Sequence, residues 1–319
     1  MAILEILKVF FIGIVEGVTE WLPISSTGHM LLVDYFLKLD ASQEFKDMFF
    51  VVIQLGAIMA VVVLYWKKLW PFRIIRDTSA GGLIDEADDQ PLSANAGRRS
   101  SGNVKRSAVN KRRKNEIYFG SVAVNKSIIQ LWIKVIIATI PAAVLGLLLD
   151  DWMDKYAHTP GVIAIALIVY GILFILVEDK NESRKPRLIK LSKLTYKDAL
   201  FLGLFQTLAI VPGTSRSGAT IVGGLSMGIS RKVAAEFTFF MSIPIMFGWS
   251  LVKIFKFGLH FSAFEILLLL LGMIVSFAVS IFVIKFLMGY IKKHDFKIFG
   301  YYRIILGLLM IIVSILMKK

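Results

Sequence analysis

The sequence predicts an all-α polytopic integral membrane protein, with about six transmembrane helices plus two re-entrant helix-loop-helix hairpins in an inverted-topology repeat. Three observations predict it. Apolar runs of about 18 or more residues recur along the chain, the length a helix needs to cross a bilayer. At 56% hydrophobic residues and a mean hydropathy of +0.71, the chain carries more apolar material than a soluble domain ordinarily buries. Two of the apolar stretches, 3–37 and 198–229, are broken near their middles by clusters of Ser, Thr, Gly and Pro that also carry charge.

Residues 3–22 form an apolar stretch interrupted by Glu16 and Glu20 and closed by Pro23, followed by a shorter apolar piece at 30–37. Neither piece spans comfortably alone. A helix, a Ser/Thr/Gly break and a second short helix therefore enter the membrane and return to the same side, since irregular backbone at that depth needs protein or water around it. Residues 47–66 read as a span that ends in an interfacial anchor, Trp66-Lys67-Lys68-Leu69-Trp70. From 76 to 116, Gly81-Gly82, Asp85-Glu86, Asp88-Asp89 and Lys111-Arg112-Arg113-Lys114 contain little to bury and read as a solvated, disordered loop. Spans follow at 128–149 and 160–177, joined by acidic Asp150-Asp151-Trp152-Met153-Asp154. A basic loop, 180–197, precedes the second broken stretch, and three more spans fit at 233–252, 263–287 and 300–317.

The two halves correspond. An offset of 190 residues places Phe11, Gly13, Ser25 and Gly28 on Phe201, Gly203, Ser215 and Gly218, Glu16 on Gln206 and Ser26 on Arg216, while the prolines, Pro23 and Pro212, miss by one. The chain divides into a first repeat, 1–178, with its hairpin at 3–37 and a polar cytoplasmic insertion at 76–125, a basic linker, 179–197, and a second repeat, 198–319, with its hairpin at 198–229. Three spans per unit reverse the second unit, so both breaks meet near the midplane. If the basic loops are cytoplasmic, both termini and the first hairpin lie outside.

The net charge of +14 raises the question of a nucleic-acid partner. Its excess is concentrated in 67–126 and 180–197, which reports orientation instead, so no nucleic acid is expected. The absence of cysteine excludes disulfides, thiolate catalysis and Cys-based metal sites. Met1–Glu5 lacks a basic n-region, and the first apolar run reads as mature sequence, not a signal peptide.

Glu16 and Glu20 are spaced to share one helix face. Two carboxylates in a low-dielectric site need a cation, a proton or an arginine, and a divalent metal bridging them to a phosphate is one solution. Ser25, Ser26 and Thr27 supply hydroxyls at a helix start whose free N–H groups suit an anion. They also suit simple capping. His29 follows Ser26 by three residues, so serine and imidazole can share a face as a minimal activated nucleophile. In the second motif, Gly213 and Gly218 allow close backbone approach, and Ser215 and Ser217 flank Arg216, whose donor fork matches phosphate. Arg216 could equally pair with Glu16 or Glu20. His158, His260 and His294 read as interfacial residues, and Gly13/Gly17 and Gly224/Gly228 as helix-packing pairs.

Glu16-Gly-Val-Thr-Glu20, Leu22-Pro-Ile-Ser-Ser-Thr-Gly-His29, Val51-Val-Ile-Gln-Leu-Gly56, Thr139-Ile-Pro-Ala-Ala-Val-Leu-Gly146 and Pro212-Gly-Thr-Ser-Arg-Ser-Gly218 resemble the undecaprenyl-diphosphate phosphatase family, the bacitracin-resistance BacA type. The resemblance covers nearly the whole chain except about 76–125, which reads as an insertion. It implies an enzyme of the bacterial cytoplasmic membrane that removes the terminal phosphate of undecaprenyl diphosphate, recycling the lipid carrier for cell-wall synthesis. It also implies an inverted-repeat fold, a site open to the outer face and a divalent cation, Mg2+ or Ca2+. By motif, Glu16 and Glu20 match the acidic pair, Ser26 the proposed nucleophile, His29 the essential histidine and Arg216 the diphosphate-binding arginine. Ser25, Thr27, Gly213, Thr214, Ser215, Ser217 and Thr220 are then expected around the phosphates, and Glu16 and Glu20 at the metal.

The expected chemistry is phosphoryl transfer, which depends on positioning and charge stabilisation. Ser26 attacks while His29 moves the proton, or His29 activates water while Ser26 only binds. Expected partners are the polyprenyl diphosphate, membrane lipids and a homo-oligomeric copy. The alternative is a transporter or flippase of lipid phosphate or a small anion built on the same midplane site. A lipid phosphatase with paired histidines fails on inventory, because only His29 lies within a motif.

Overall fold

The computed structural model describes residues 2–74, 115–119, 122–258 and 260–317. Most of the loop expected at 76–116 lies outside the described residues. The chain forms two compact units, one of 1–66 with 133–319 and one of 67–132.

The larger unit begins with α1 (Ala2–Thr19) and α2 (Ser26–Leu37), the two limbs of the first hairpin. Next come α3 (Gln43–Val52) and α4 (Gln54–Leu64), which run on through Ile53 as one membrane-length helix, Gln43–Leu64. Helix α5 (Trp66–Leu69) is a single turn. Helices α6 (Lys126–Tyr156) and α7 (Pro160–Glu182) complete the first half. In the second half, α8 (Tyr196–Thr207) and α9 (Arg216–Ser226) form the other hairpin, followed by α10 (Arg231–Phe257), α11 (Ala263–Tyr290) and α12 (Lys297–Met317). Among the described residues six helices are long and apolar enough to cross a membrane, and the hairpin limbs are not among them. The fold is the all-α polytopic one that the hydropathy pattern predicts.

Local chemistry sets the boundaries. Helix α7 starts at Pro160, which has no N–H to leave unpaired, behind the Thr159 cap. Capping boxes at Thr195/Asp198 and Ser262/Glu265 open α8 and α11. At one end of the bundle, buried Glu178 of α7 accepts from Arg231 Nε at 2.9 Å and from the Phe296 N–H at 3.0 Å, tying α7, α10 and the start of α12 together.

Small residues allow the helices to close on one another. A Cβ on Gly13 of α1 would meet the Val275 Cβ of α11 at 2.9 Å, and one on Gly17 the Ser276 carbonyl at 2.8 Å. That pair packs helices as its spacing predicts. The second pair does not: Gly224 rests on Ala234 of α10, but Gly228 lies beyond α9 at φ 74° and serves a turn. The four-residue spacing there straddles a helix end.

The smaller unit adds three short strands that the sequence reading did not anticipate, two of them at the end of the polar stretch 76–125. Strands β1 (Phe72–Ile74), β2 (Glu116–Phe119) and β3 (Val122–Asn125) pair antiparallel in the order β1-β3-β2. The end of the stretch is rich in β-branched and aromatic residues, which favour a pleated surface over a solvated coil.

The tightest helix contact yields a test. A Cβ on Gly56 of α4 would overlap the Met273 backbone of α11. Gly56→Ala is expected to cost about 1–3 kcal/mol, read as a lower thermal midpoint in detergent. Gly289→Ala, with open space at its Cβ, should leave the midpoint unchanged or slightly raised.

Candidate active site

The two breaks are built alike. Ser25 and Ser215 both adopt left-handed backbone, at φ 74° and 70°. Each hydroxyl accepts the N–H of the glycine three residues on, Gly28 at 3.4 Å and Gly218 at 3.2 Å. Holding a non-glycine residue in that conformation costs roughly 1–3 kcal/mol and persists only where the surroundings enforce it. Both serines thus cap helices that point their N-termini into the protein interior.

Arg216, the first residue of α9, reaches across to the other break. Its Nη2 donates to Glu20 Oε1 at 3.2 Å and its Nη1 to the Thr238 carbonyl at 3.0 Å, while its Nε has no partner among the described residues. The guanidinium stands 6.0 Å from the ring of fully buried Trp21. The second Glu20 oxygen, Oε2, accepts the Ser26 hydroxyl at 2.8 Å. Arginine, carboxylate and serine form one chain across both motifs.

This chain borders two cavities, of about 840 and 220 Å³. Ser26, Thr27, Gln54 and Arg216 line both, Glu20 lines the smaller and Glu16 and Gln206 the larger. Glu16 is fully buried, and neither of its oxygens has a hydrogen-bond partner among the described residues. The same is true of the Gln206 amide, its counterpart in the second half. Orphaned groups of this kind are costly unless something else completes them.

His29 does not join Ser26. Its Nδ1 lies 2.7 Å from the Ser25 carbonyl, which only accepts, so Nδ1 carries the proton. The Nε2 of the neutral ring then accepts from the Tyr302 hydroxyl at 2.7 Å. The serine–imidazole pair expected from the three-residue spacing is absent because the serine is taken by Glu20 and the ring by α12. Of the expected phosphate-binding residues, Thr27, Gly213 and Ser215 line the smaller cavity, with Gly213 at φ 92°. Ser25, Thr214, Ser217 and Thr220 line neither cavity. Thr220 donates back to the Arg216 carbonyl at 2.9 Å, and Ser217 contacts the Ser215 hydroxyl at 3.2 Å. Their work is to shape the turn.

One residue was hidden in what reads as a plain span. Arg303 of α12 is fully buried and donates to the carbonyls of Pro23 at 3.2 Å, Gly213 at 2.8 Å and Thr214 at 2.7 Å. It pins both breaks to the last helix. Its signal was available, since an arginine inside a membrane-length apolar run is rarely idle.

Comparison with known families matches residues 9–93 and 98–309 to the family described as bacitracin resistance protein BacA. The chain belongs to the BacA family. The match runs through most of 76–125. The undecaprenyl-diphosphatase of Enterococcus faecalis is 50% identical over 311 residues, 98% of each chain. That of Desulfitobacterium hafniense is 50% identical over 313 residues, 98% of this chain and 97% of its own. The undecaprenyl-diphosphatase of Streptococcus equi subsp. equi is 45% identical over 318 residues, 99% of this chain and 98% of its own. This BacA-family chain is a multi-pass membrane protein.

Arg303→Met leaves three buried carbonyls without their donor, at about 1–3 kcal/mol for each unsatisfied group. The expected outcome is a markedly lower thermal midpoint in detergent. Tyr302→Phe, which frees only His29, should leave the midpoint nearly unchanged.

Proposed function

We propose that this chain hydrolyses undecaprenyl diphosphate to undecaprenyl phosphate and inorganic phosphate, recycling the lipid carrier for cell-wall synthesis and thereby conferring bacitracin resistance. The observation that carries the reading is the Arg216–Glu20–Ser26 chain at the edge of a large cavity. A diphosphate entering that cavity offers Arg216 a better-matched partner than one carboxylate oxygen, because the guanidinium fork fits phosphate. Glu20 is then released from its ion pair while still holding the Ser26 hydroxyl. It accepts that proton as the serine oxygen bonds to the terminal phosphorus and the bond to the undecaprenyl phosphate breaks. Water completes hydrolysis of the phosphoserine. The N–H groups that open α9 and the Thr27 and Ser215 hydroxyls stabilise the spreading negative charge.

His29 has a second place in this reading. Turned from Tyr302 towards Ser26, it would take the proton in place of Glu20; held as it is, it braces the first break. Glu20→Gln and Tyr302→Phe separate the two roles, since the first removes the base and the second only frees the ring.

A divalent cation, Mg2+ or Ca2+, fits the donor set. Glu16 presents two unpartnered oxygens, and Mg2+ is commonly held by one or two carboxylates together with substrate phosphates. Among the described residues no group of three or more His, Asp or Glu side chains gathers as a metal site, so the ion would rest on two carboxylates and the substrate's own oxygens. When bound by Glu16 and Glu20, the ion screens charge on the substrate oxygens.

The matching geometry at Ser25 and Ser215 supports reading 1–178 and 198–319 as inverted copies joined by the linker 179–197. With the basic loops cytoplasmic, the site opens to the outer face of the cytoplasmic membrane.

Purified protein in detergent, where no compartments exist, should release phosphate from undecaprenyl diphosphate, whereas a transporter releases none. Arg216→Ala should lower turnover by about 10²–10³-fold, the loss of one charge-stabilising donor group. Acid quenching during turnover should trap phosphoserine at Ser26. Near-normal turnover by Ser26→Ala would transfer the attack to water.

A further inference from the structure

The small sheet of residues 67–132 has two unlike faces. Cross-strand partners share a face, so Phe72, Val124 and Ile117 lie in one row, with Val122 and Phe119 beside them. The opposite face carries Arg73, Ala123, Glu116 and Asn125, and Arg73 pairs with Glu116 there at 3.0 Å. The apolar face is open: Phe119 is 67% exposed, Phe72 49% and Ile117 41%. Trp70, 48% exposed, extends it by an edge contact to the Phe72 ring at 5.5 Å. A soluble three-stranded sheet with three exposed apolar side chains on one face would be an aggregation hazard.

Something must cover that face, and the chain says what is nearest. Strand β3 ends at Asn125, and the membrane-length helix Lys126–Leu149 begins at the next residue. On the other side, Leu64 closes the span Gln43–Leu64 eight positions before Phe72. Both ends of the sheet are therefore tethered at a bilayer surface. Aromatic rings beside lysines make the composition of a headgroup-level element, with rings in the acyl boundary and charges at the phosphates. Lys67, Lys68 and Lys126 are exposed at the two tethers. The intervening stretch, 75–114, is mostly Gly, Ser, Asn and charged residues.

We propose that the Phe72–Ile117–Phe119 face of this sheet docks on the bilayer, with Lys67, Lys68 and Lys126 meeting anionic lipid headgroups. Basic side chains close to an anionic surface add attraction that decays within a Debye length.

The chain has no cysteine, so single cysteines can be labelled cleanly. Full-length Phe119→Cys, Ile117→Cys and Arg73→Cys proteins would carry an environment-sensitive fluorophore in nanodiscs of phosphatidylglycerol with phosphatidylethanolamine. Lipid spin-labelled near the headgroup should quench positions 117 and 119 several-fold more strongly than position 73, which should respond to aqueous iodide instead. The quenching by lipid should weaken in nanodiscs of neutral lipid. Iodide quenching at 117 and 119 equal to that at 73 would place the face in water and overturn the proposal. Protection of both positions from both quenchers would mean that protein covers them, either 75–114 or a second copy, and would overturn it too. Equal lipid quenching in anionic and neutral discs would remove the lysines from the account. Positions 117 and 119 report independently if one variant fails to fold.

Discussion

The Glu20–Arg216 ion pair is the constraint on which this structure depends. A lone charge at membrane depth costs roughly 2.5–3.5 kcal/mol on insertion scales, so neither side chain can stand there unaccompanied. The partners are 196 residues apart in sequence, and only a fold that brings both broken stretches to one place can pair them. The hairpins, the glycine contacts between helices and the carbonyl clamp of Arg303 all serve that meeting. The pair is also incomplete: among the described residues Arg216 keeps an unpartnered Nε, and the other oxygen of Glu20 accepts the Ser26 hydroxyl. In the proposed reaction that leaves donor capacity for the phosphate oxygens.

The fold was largely legible because hydropathy is a strong signal in a bilayer. Lipid forces unbroken apolar runs wherever a helix crosses, and the two broken stretches stood out by their charges. The strands at 116–119 and 122–125 were missed because an acidic and basic loop precedes them and the composition of the whole stretch masked a short β-rich end. In the candidate site, Glu16, Glu20 and Arg216 stood out in the sequence because charges are costly at membrane depth, and the structure brings Glu20, Arg216 and Ser26 together. The hydrogen-bond partner of His29 was not legible in the sequence. Spacing of three residues permits a shared face, but it does not choose a partner, and Tyr302 competes from 273 residues away. Arg303 was marked by its charge inside a membrane-length apolar run, but its partners were not legible, because they are backbone carbonyls and sequence carries no mark for a backbone acceptor.

Glu16 and Gln206 show how the two halves came to differ. They stand 190 residues apart, at the offset that relates the two halves, and both line the larger cavity with polar atoms that have no partner among the described residues. A carboxylate in one half attracts a cation, whereas an amide in the other adds no charge of its own. With Ser26 set against Arg216 in the same way, the proposed reaction draws its nucleophile and acidic groups from the first half and its cationic clamp from the second. A site assembled from two such halves needs no loop closure to bring attacking oxygen and phosphate together. The price is a pair of strained serines at 25 and 215, held in place by their glycine caps.

The central claim is that Glu20 and Arg216 act as one unit on the phosphate, and a double-mutant cycle on phosphate release from undecaprenyl diphosphate tests it most directly. The account predicts that kcat/KM of the Glu20→Gln, Arg216→Gln double variant falls little below that of the slower single variant, a coupling of about 1–3 kcal/mol for residues in contact. Two losses that multiply independently would contradict it.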